Sequence, residues 1–145
     1  MRMSTKGRYG LRLMVALADR YGTGPVDVRT ISREQAISAN YVHVLLGTLK
    51  TVGLVRSTRG RDGGYELARR PATITAFDVV SALEGQTAPA ECVAEPGACP
   101  RAGTCPTRDV WCQLAASIDG VMKSLTLQRL ADDRRAQDEA LNYSI

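Results

Sequence analysis

The chain has 145 residues, 44% of them hydrophobic and 23% charged, with a formal net charge of +4. That length suits one domain with an appended helical segment, and a chain of this size buries roughly two-thirds of its unfolded surface, so a core forms without staples. No apolar run reaches the ~20 residues of a membrane span, and the N-terminal MRMSTKGRYG lacks the apolar centre of a secretory signal, so the expectation is a cytoplasmic protein with no membrane partner, in a compartment where thiols serve as ligands or catalysts more often than as disulfides.

Charge divides along the chain. Residues 1–70 carry 13 Lys/Arg against 5 Asp/Glu, a net of +8, and residues 71–145 carry 6 against 10, a net of −4, which together give +4. A basic half joined to an acidic half points to a polyanion partner for the first half only.

Residues 5–20 read as a first helix, with Tyr9, Leu13, Ala16 and Leu17 on one stripe. Gly22, Gly24 and Pro25 end it. Asp27 caps a short second helix through Gln35, with Ile31 facing inward, and Ser38 caps a third. In that third helix Val42, Leu45, Leu46, Leu49 and Val52 form the apolar stripe, and Gly53 follows as terminator. Its opposite face holds Asn40, His43, Gly47 and Lys50, with no acid. Residues 54–58 and 65–68 read as a hairpin around Arg59-Gly60-Arg61-Asp62-Gly63-Gly64. Thr75 and Asp78 have capping-box form and open a fourth helix through Leu83. A loop from Pro89 to Pro106 follows, then a long helix from Arg108 to Ser124 with Val110, Leu114, Ile118, Val121 and Leu125 in one row. Thr126 caps a last short helix, and the charged tail from Asp132 is expected to fray.

Two short helices, a tight connection and an arginine-tipped hairpin make a winged helix-turn-helix. A helix in the major groove needs an apolar inner face and a polar outer face that reaches base edges. A wing in the narrow minor groove needs Arg on a backbone with little side-chain bulk, which Gly60, Gly63 and Gly64 supply. An ordinary three-helix domain with a glycine hairpin shares the helix pattern; the arginines and the charge asymmetry favour DNA. No Ser/His/Asp set or phosphate loop is present and the chain has one histidine, so an enzyme is not expected.

The stretches Ser4-Thr5-Lys6-Gly7-Arg8-Tyr9, Ile37-Ser38 with Tyr41, Gly53-Leu54-Val55, Arg59-Gly60 with Gly63-Gly64-Tyr65 and Leu67-Ala68-Arg69, and Ala82-Leu83-Glu84-Gly85 resemble the IscR/NsrR-type family of bacterial winged-helix regulators from residue 3 to about 131. The resemblance implies a mainly α fold with a small β-hairpin wing. It also implies a homodimer whose long C-terminal helix crosses its twofold mate, and a pseudo-palindromic double-stranded operator. The expected division is a DNA-binding domain over 1–85, a cysteine-rich cluster-binding loop over 86–107, a dimerisation helix region over 108–131 and a charged tail over 132–145. The apolar row of the long helix supports a dimer independently; packing on its own domain is the alternative. Carried over by position, the DNA-reading residues are Ser38, Asn40, Tyr41, His43, Arg59, Gly60 and Arg61, and Lys50 on the polar face of the third helix is counted with them as a DNA-binding residue. Position 43 is commonly acidic in relatives, so their base preference does not transfer to His43. Asp62 also departs by placing an acid in the wing.

All four cysteines fall within 21 residues, spaced C-x6-C-x5-C-x6-C. This spacing matches neither the paired ligands of structural zinc nor ferredoxin patterns. The cluster-binding branch of the resembled family carries three cysteines at this loop, which map to Cys92, Cys99 and Cys105. They would ligate an iron–sulfur cluster, 2Fe–2S ranked ahead of 4Fe–4S. The fourth ligand is open. Some relatives use a histidine where this chain has Arg108, which has no lone pair to give. Others use an acid near Arg8. Cys112, one turn beyond Arg108, is the local candidate, with a partner-subunit residue or water as alternatives. The reading is thus a transcriptional regulator, a repressor, whose operator affinity follows an iron–sulfur cluster. The alternatives are a cluster-free thiol/disulfide regulator and a small redox protein that does not bind DNA.

Overall fold

The computed structural model describes residues 3–85 and 88–144. Gln86 and Thr87, at the start of the expected cysteine-rich loop, lie outside the described residues, as do Met1, Arg2 and Ile145. The architecture is mostly helical with one two-stranded antiparallel hairpin, the winged helix-turn-helix that the sequence implies. No helix among the described residues is long and apolar enough to cross a membrane.

Helix α1 (Thr5–Asp19) starts where the Ser4 hydroxyl accepts from Lys6 N–H at 3.1 Å. Leu13, Ala16 and Leu17 are buried as expected, and so are Met14 and Ala18, so this helix is enclosed on more than one face. Its glycine face lies against α4 (Ala76–Glu84): a Cβ on Gly10 would stand 2.0 Å from Leu83 Cδ1, and Gly7 N–H donates to Glu84 Oε1 at 2.8 Å. Helix α2 (Val28–Gln35) is capped by Asp27, whose carboxylate accepts from Arg29 and Thr30 N–H. Ala36 then takes the left-handed conformation at φ 53°, and the chain turns directly into α3 (Ala39–Thr51). Val42, Leu45, Leu46 and Leu49 fill the core between these helices. Val52, expected on the same stripe, is 52% exposed. It is the C-cap residue, so the helical period no longer directs its side chain inward.

Strands β1 (Val55–Thr58) and β2 (Gly64–Leu67) pair in register from Val55↔Leu67 to Thr58↔Gly64. Val26, just before α2, adds a bridge to Tyr65, with N–H to C=O bonds of 2.8 and 2.9 Å in both directions. The wing is thereby held on both sides at its β2 edge. The capping box at Thr75 and Asp78 forms as expected, with both reciprocal bonds present.

The loop expected between α4 and the long helix is not featureless. It holds a short helix α5 (Glu91–Ala94) and a 3-10 turn over Pro96–Ala98, neither with a buried residue. Helix α6 (Arg108–Ser124) has the expected bounds and also contains no buried residue. One side of α6 meets α4, where the Lys123 ammonium lies 4.3 Å from the Phe77 ring centre. On the expected apolar row, Val110 and Val121 remain 56% and 60% exposed.

The last helix corrects the sequence expectation. It is neither short nor frayed: α7 runs from Leu127 to Tyr143. Leu127 and Ala131 enter the common core at 0% exposure, and Ala76 and Leu127 N–H bonds at 2.8 Å tie the segments before α4 and α7 together. Arg134 donates to Asp19 Oδ2 at 3.0 Å, and Arg135 Nε lies 3.6 Å from Oδ1. The charged surface adds the pairs Arg129–Asp133, Arg134–Asp138 and Arg135–Asp132 at i,i+3 and i,i+4 spacing.

Candidate functional site

The N-terminal half of α3 and the wing face each other across an open cleft of about 600 Å³. Asn40 and His43 form one wall, and Arg59, Gly60 and Arg61 the other. Five of the eight expected DNA-reading residues therefore share one cleft. Ser38, Tyr41 and Lys50 do not line it. The Ser38 hydroxyl is committed to capping, accepting from Tyr41 N–H at 3.3 Å. Tyr41 is half-buried and meets Tyr9 edge to face at 6.2 Å, which makes it a strut under the helix. Lys50 donates to Ser57 Oγ at 2.6 Å and so joins the far end of α3 to β1.

Sequence reasoning missed Tyr65, Thr58, Asp27 and Arg29 in the same cleft. Tyr65 was readable only as a strand residue; its cleft position depends on the bridge to Val26, which no local pattern signals. Asp27 brings a negative charge to the cleft floor. Bonds from the Thr30 hydroxyl and N–H, with Arg29 N–H, favour its ionised form and hold its carboxyl below the ordinary aspartate range. The rest of the lining mixes the cations Arg29, Arg59 and Arg61 and several polar side chains with Val28, Ala39 and the wing glycines, and the three arginines suit a polyanion that inserts between helix and wing.

The thiols lie between α4 and α6, on α5, the segment after it and α6 itself. Cys92, Cys99, Cys105 and Cys112 are all free and half-buried. Cys92 belongs to α5, and Cys112 sits inside α6 without any unwinding of its first turns. Cys105 Sγ lies 3.1 Å from Thr107 Oγ1. That hydroxyl, then the N–H groups of Thr107 and Arg108, stabilise the thiolate and lower the Cys105 pKa from the ordinary cysteine range. Arg108 donates from Nε to the Cys92 carbonyl at 3.1 Å, so its side chain closes the loop rather than offering a ligand.

The donor chemistry fits an iron–sulfur cluster: soft sulfur donors on one short segment, one of them, Cys105, with its thiolate form stabilised by its hydrogen-bond donors. The spatial arrangement is open. Among the described residues, no three His, Cys, Asp or Glu side chains gather closely enough to hold a metal ion.

A family model described as Rrf2, iron-dependent transcriptional regulator, matches residues 3–133. The chain is 36% identical to the HTH-type transcriptional regulator CymR of Bacillus subtilis (strain 168), over 100% of both chains. The solved structure of CymR, described as the global cysteine regulator of B. subtilis, superposes with a TM-score of 0.77 over 91% of this chain and 97% of that one, at 36% identity. The IscR of T. potens superposes with a TM-score of 0.76 over 92% and 88%, at 35% identity.

Proposed function

The chain belongs to the Rrf2 family of HTH-type transcriptional regulators, and from that premise we propose that it is a homodimeric repressor whose operator affinity is set by the state of the loop from Cys92 to Cys105. The carrying observation is the shared cleft, where Asn40 and His43 on α3 face Arg59 and Arg61 on the wing. In this reading α3 enters the major groove of a pseudo-palindromic operator, the wing arginines reach the adjacent minor groove, and Ser38, Tyr41 and Lys50 hold α3 in position for that contact. The row Val110, Leu114, Ile118, Val121 and Leu125, of which Val110 and Val121 are exposed and the other three half-buried, pairs with the same row of a second copy in the cytoplasm, since α6 has no buried residue within one chain.

Cys92, Cys99 and Cys105 would hold an iron–sulfur cluster, with Cys112 or a group from the partner as the fourth ligand. A bound cluster supplies a thiolate-ligated centre that is lost or altered by oxidants and by iron shortage. Gathering the three thiols requires the segment between α5 and α6 to close. Because Arg108 ties Cys92 to the first turn of α6, that closure bears on the dimer helix. A coupling of ~1–3 kcal/mol would change operator affinity roughly 5–150-fold.

The open arrangement of the thiols and the lowered Cys105 pKa favour a second reading, a thiol–disulfide switch without a cluster. The cysteine-regulator description of CymR supports this alternative. Anaerobic purification with iron and sulfide analysis separates the two. Near-equal iron and sulfide per chain supports the cluster. Colourless protein without iron, after attempted reconstitution, assigns the loop to thiol chemistry.

A further inference from the structure

The exposed ring of His43 has one side-chain neighbour that fixes it. Nδ1 lies 3.4 Å from Oη of Tyr65, and the two rings meet edge to face at 6.0 Å. Tyr65 is itself anchored. Its backbone exchanges two hydrogen bonds with Val26, and its ring packs against the hydrophobic core. The phenol therefore has a set position and the imidazole takes its orientation from it.

The polarity of this contact follows from acid and base strength. Imidazole nitrogen is a stronger base than phenol oxygen, and a phenol with pKa about 10 is a far stronger acid than the N–H of neutral imidazole. The pair is strongest when the Tyr65 hydroxyl donates to Nδ1. Nδ1 then carries no proton, and the ring proton stays on Nε2. The edge of His43 that Tyr65 does not occupy is thus a hydrogen-bond donor.

We propose that Tyr65 is a positioning residue that makes His43 a donor toward DNA, so that α3 reads an acceptor edge in the major groove, guanine foremost. The proposal rests on the placement of α3 in that groove. Guanine presents two adjacent acceptors there, N7 and O6, whereas cytosine presents a donor. A carboxylate at position 43 would have the opposite preference, because it only accepts. The imidazolium form also donates from Nε2, so the polarity survives protonation of the ring.

The chain has one histidine, so a nitrogen-labelled histidine NMR spectrum reports its tautomer without ambiguity. Wild type with a neutral ring shows protonated Nε2 and bare Nδ1, and Tyr65→Phe, which keeps the ring and the strand, shows a mixed pattern. A neutral wild-type ring with its proton on Nδ1 and a bare Nε2 overturns the proposal. Duplexes selected from a randomised pool then give the base preference. The expected site carries guanine at one symmetric position; His43→Ala abolishes that preference, and Tyr65→Phe lowers it about fivefold at that position alone, with the salt slope unchanged. A donor base at the His43-dependent position, or full discrimination by Tyr65→Phe, overturns the polarity argued here. Selected bases that ignore His43→Ala altogether overturn this proposal, whereas a failure of both His43→Ala and Asn40→Ala to alter any selected base overturns the placement of α3 in the groove.

Discussion

Arg108 Nε donates to the carbonyl of Cys92 across 3.1 Å, so the first residue of α6 closes the base of the thiol loop. In the proposed switch, a change at the thiols would reach α6 through this directed bond among other α5–α6 contacts. Arg108→Ala should loosen the loop while leaving the fold intact, because α5, the Pro96–Ala98 turn and α6 contain no buried residue. Hydrogen exchange over residues 92–108 should quicken, with the global unfolding free energy changed by less than about 1 kcal/mol. An unchanged exchange pattern would remove Arg108 from the coupling.

The wing rests on Gly64. Its φ is 155°, and a Cβ there would stand 2.1 Å from Val26 O and 2.4 Å from Val26 C. Both are backbone atoms, so neither can swing aside. Gly64→Ala should break the Val26–Tyr65 bridge and destabilise the protein by about 2 kcal/mol or more. Gly60→Ala, at φ 110° in open space, should lose less, since it bears only backbone strain. Denaturant unfolding of the two variants makes the comparison.

The C-terminal helix is part of the core rather than an appendage. Leu127→Ala should cost about 2–5 kcal/mol, the range for a fully buried leucine. Leu141→Ala, at 67% exposure on the same helix, should stay within about 0.5 kcal/mol. Equal effects would mean that α7 does not dock as described.

These contrasts mark where the sequence was legible. Local chemistry announced itself well: Asp27 and Ser38 cap the helices expected of them, Thr75 and Asp78 close their capping box, and α6 spans Arg108 to Ser124. The hairpin was readable to within a residue at each strand. Contacts between distant segments were not readable. Helix α7 looked too polar to persist, because its support comes from Asp19, 115 residues away from Arg134, and from the pocket that receives Leu127. Likewise the place of Tyr65 beside His43 depends on Val26, which carries no strand pattern of its own. The cysteine spacing was plain, yet spacing does not say how a loop without buried residues arranges its thiols.

Cys105 offers a direct check on the loop's electrostatics. Thr107 stabilises its thiolate by a hydroxyl bond, so Thr107→Ala should raise the Cys105 pKa. The thiolate fraction at neutral pH then falls, and the pH dependence of alkylation at Cys105 moves to higher pH. Peptide mapping after brief iodoacetamide treatment should show about a twofold to fivefold slower reaction at this residue, because the lost thiolate outweighs the gain in intrinsic nucleophilicity. An unchanged profile would assign the Thr107 contact no role in thiol reactivity.

The link between the thiol loop and DNA is tested most directly by operator affinity. A duplex selected by the wild-type protein would be titrated anaerobically, before and after the loop is oxidised or stripped of iron, beside the variant Cys92→Ala/Cys99→Ala/Cys105→Ala. The account predicts that wild-type affinity changes roughly 5–150-fold between the two loop states and that the triple variant holds one affinity throughout. Equal wild-type affinity in both states, with the duplex still bound specifically, would contradict control of the DNA-reading head by the cysteine loop.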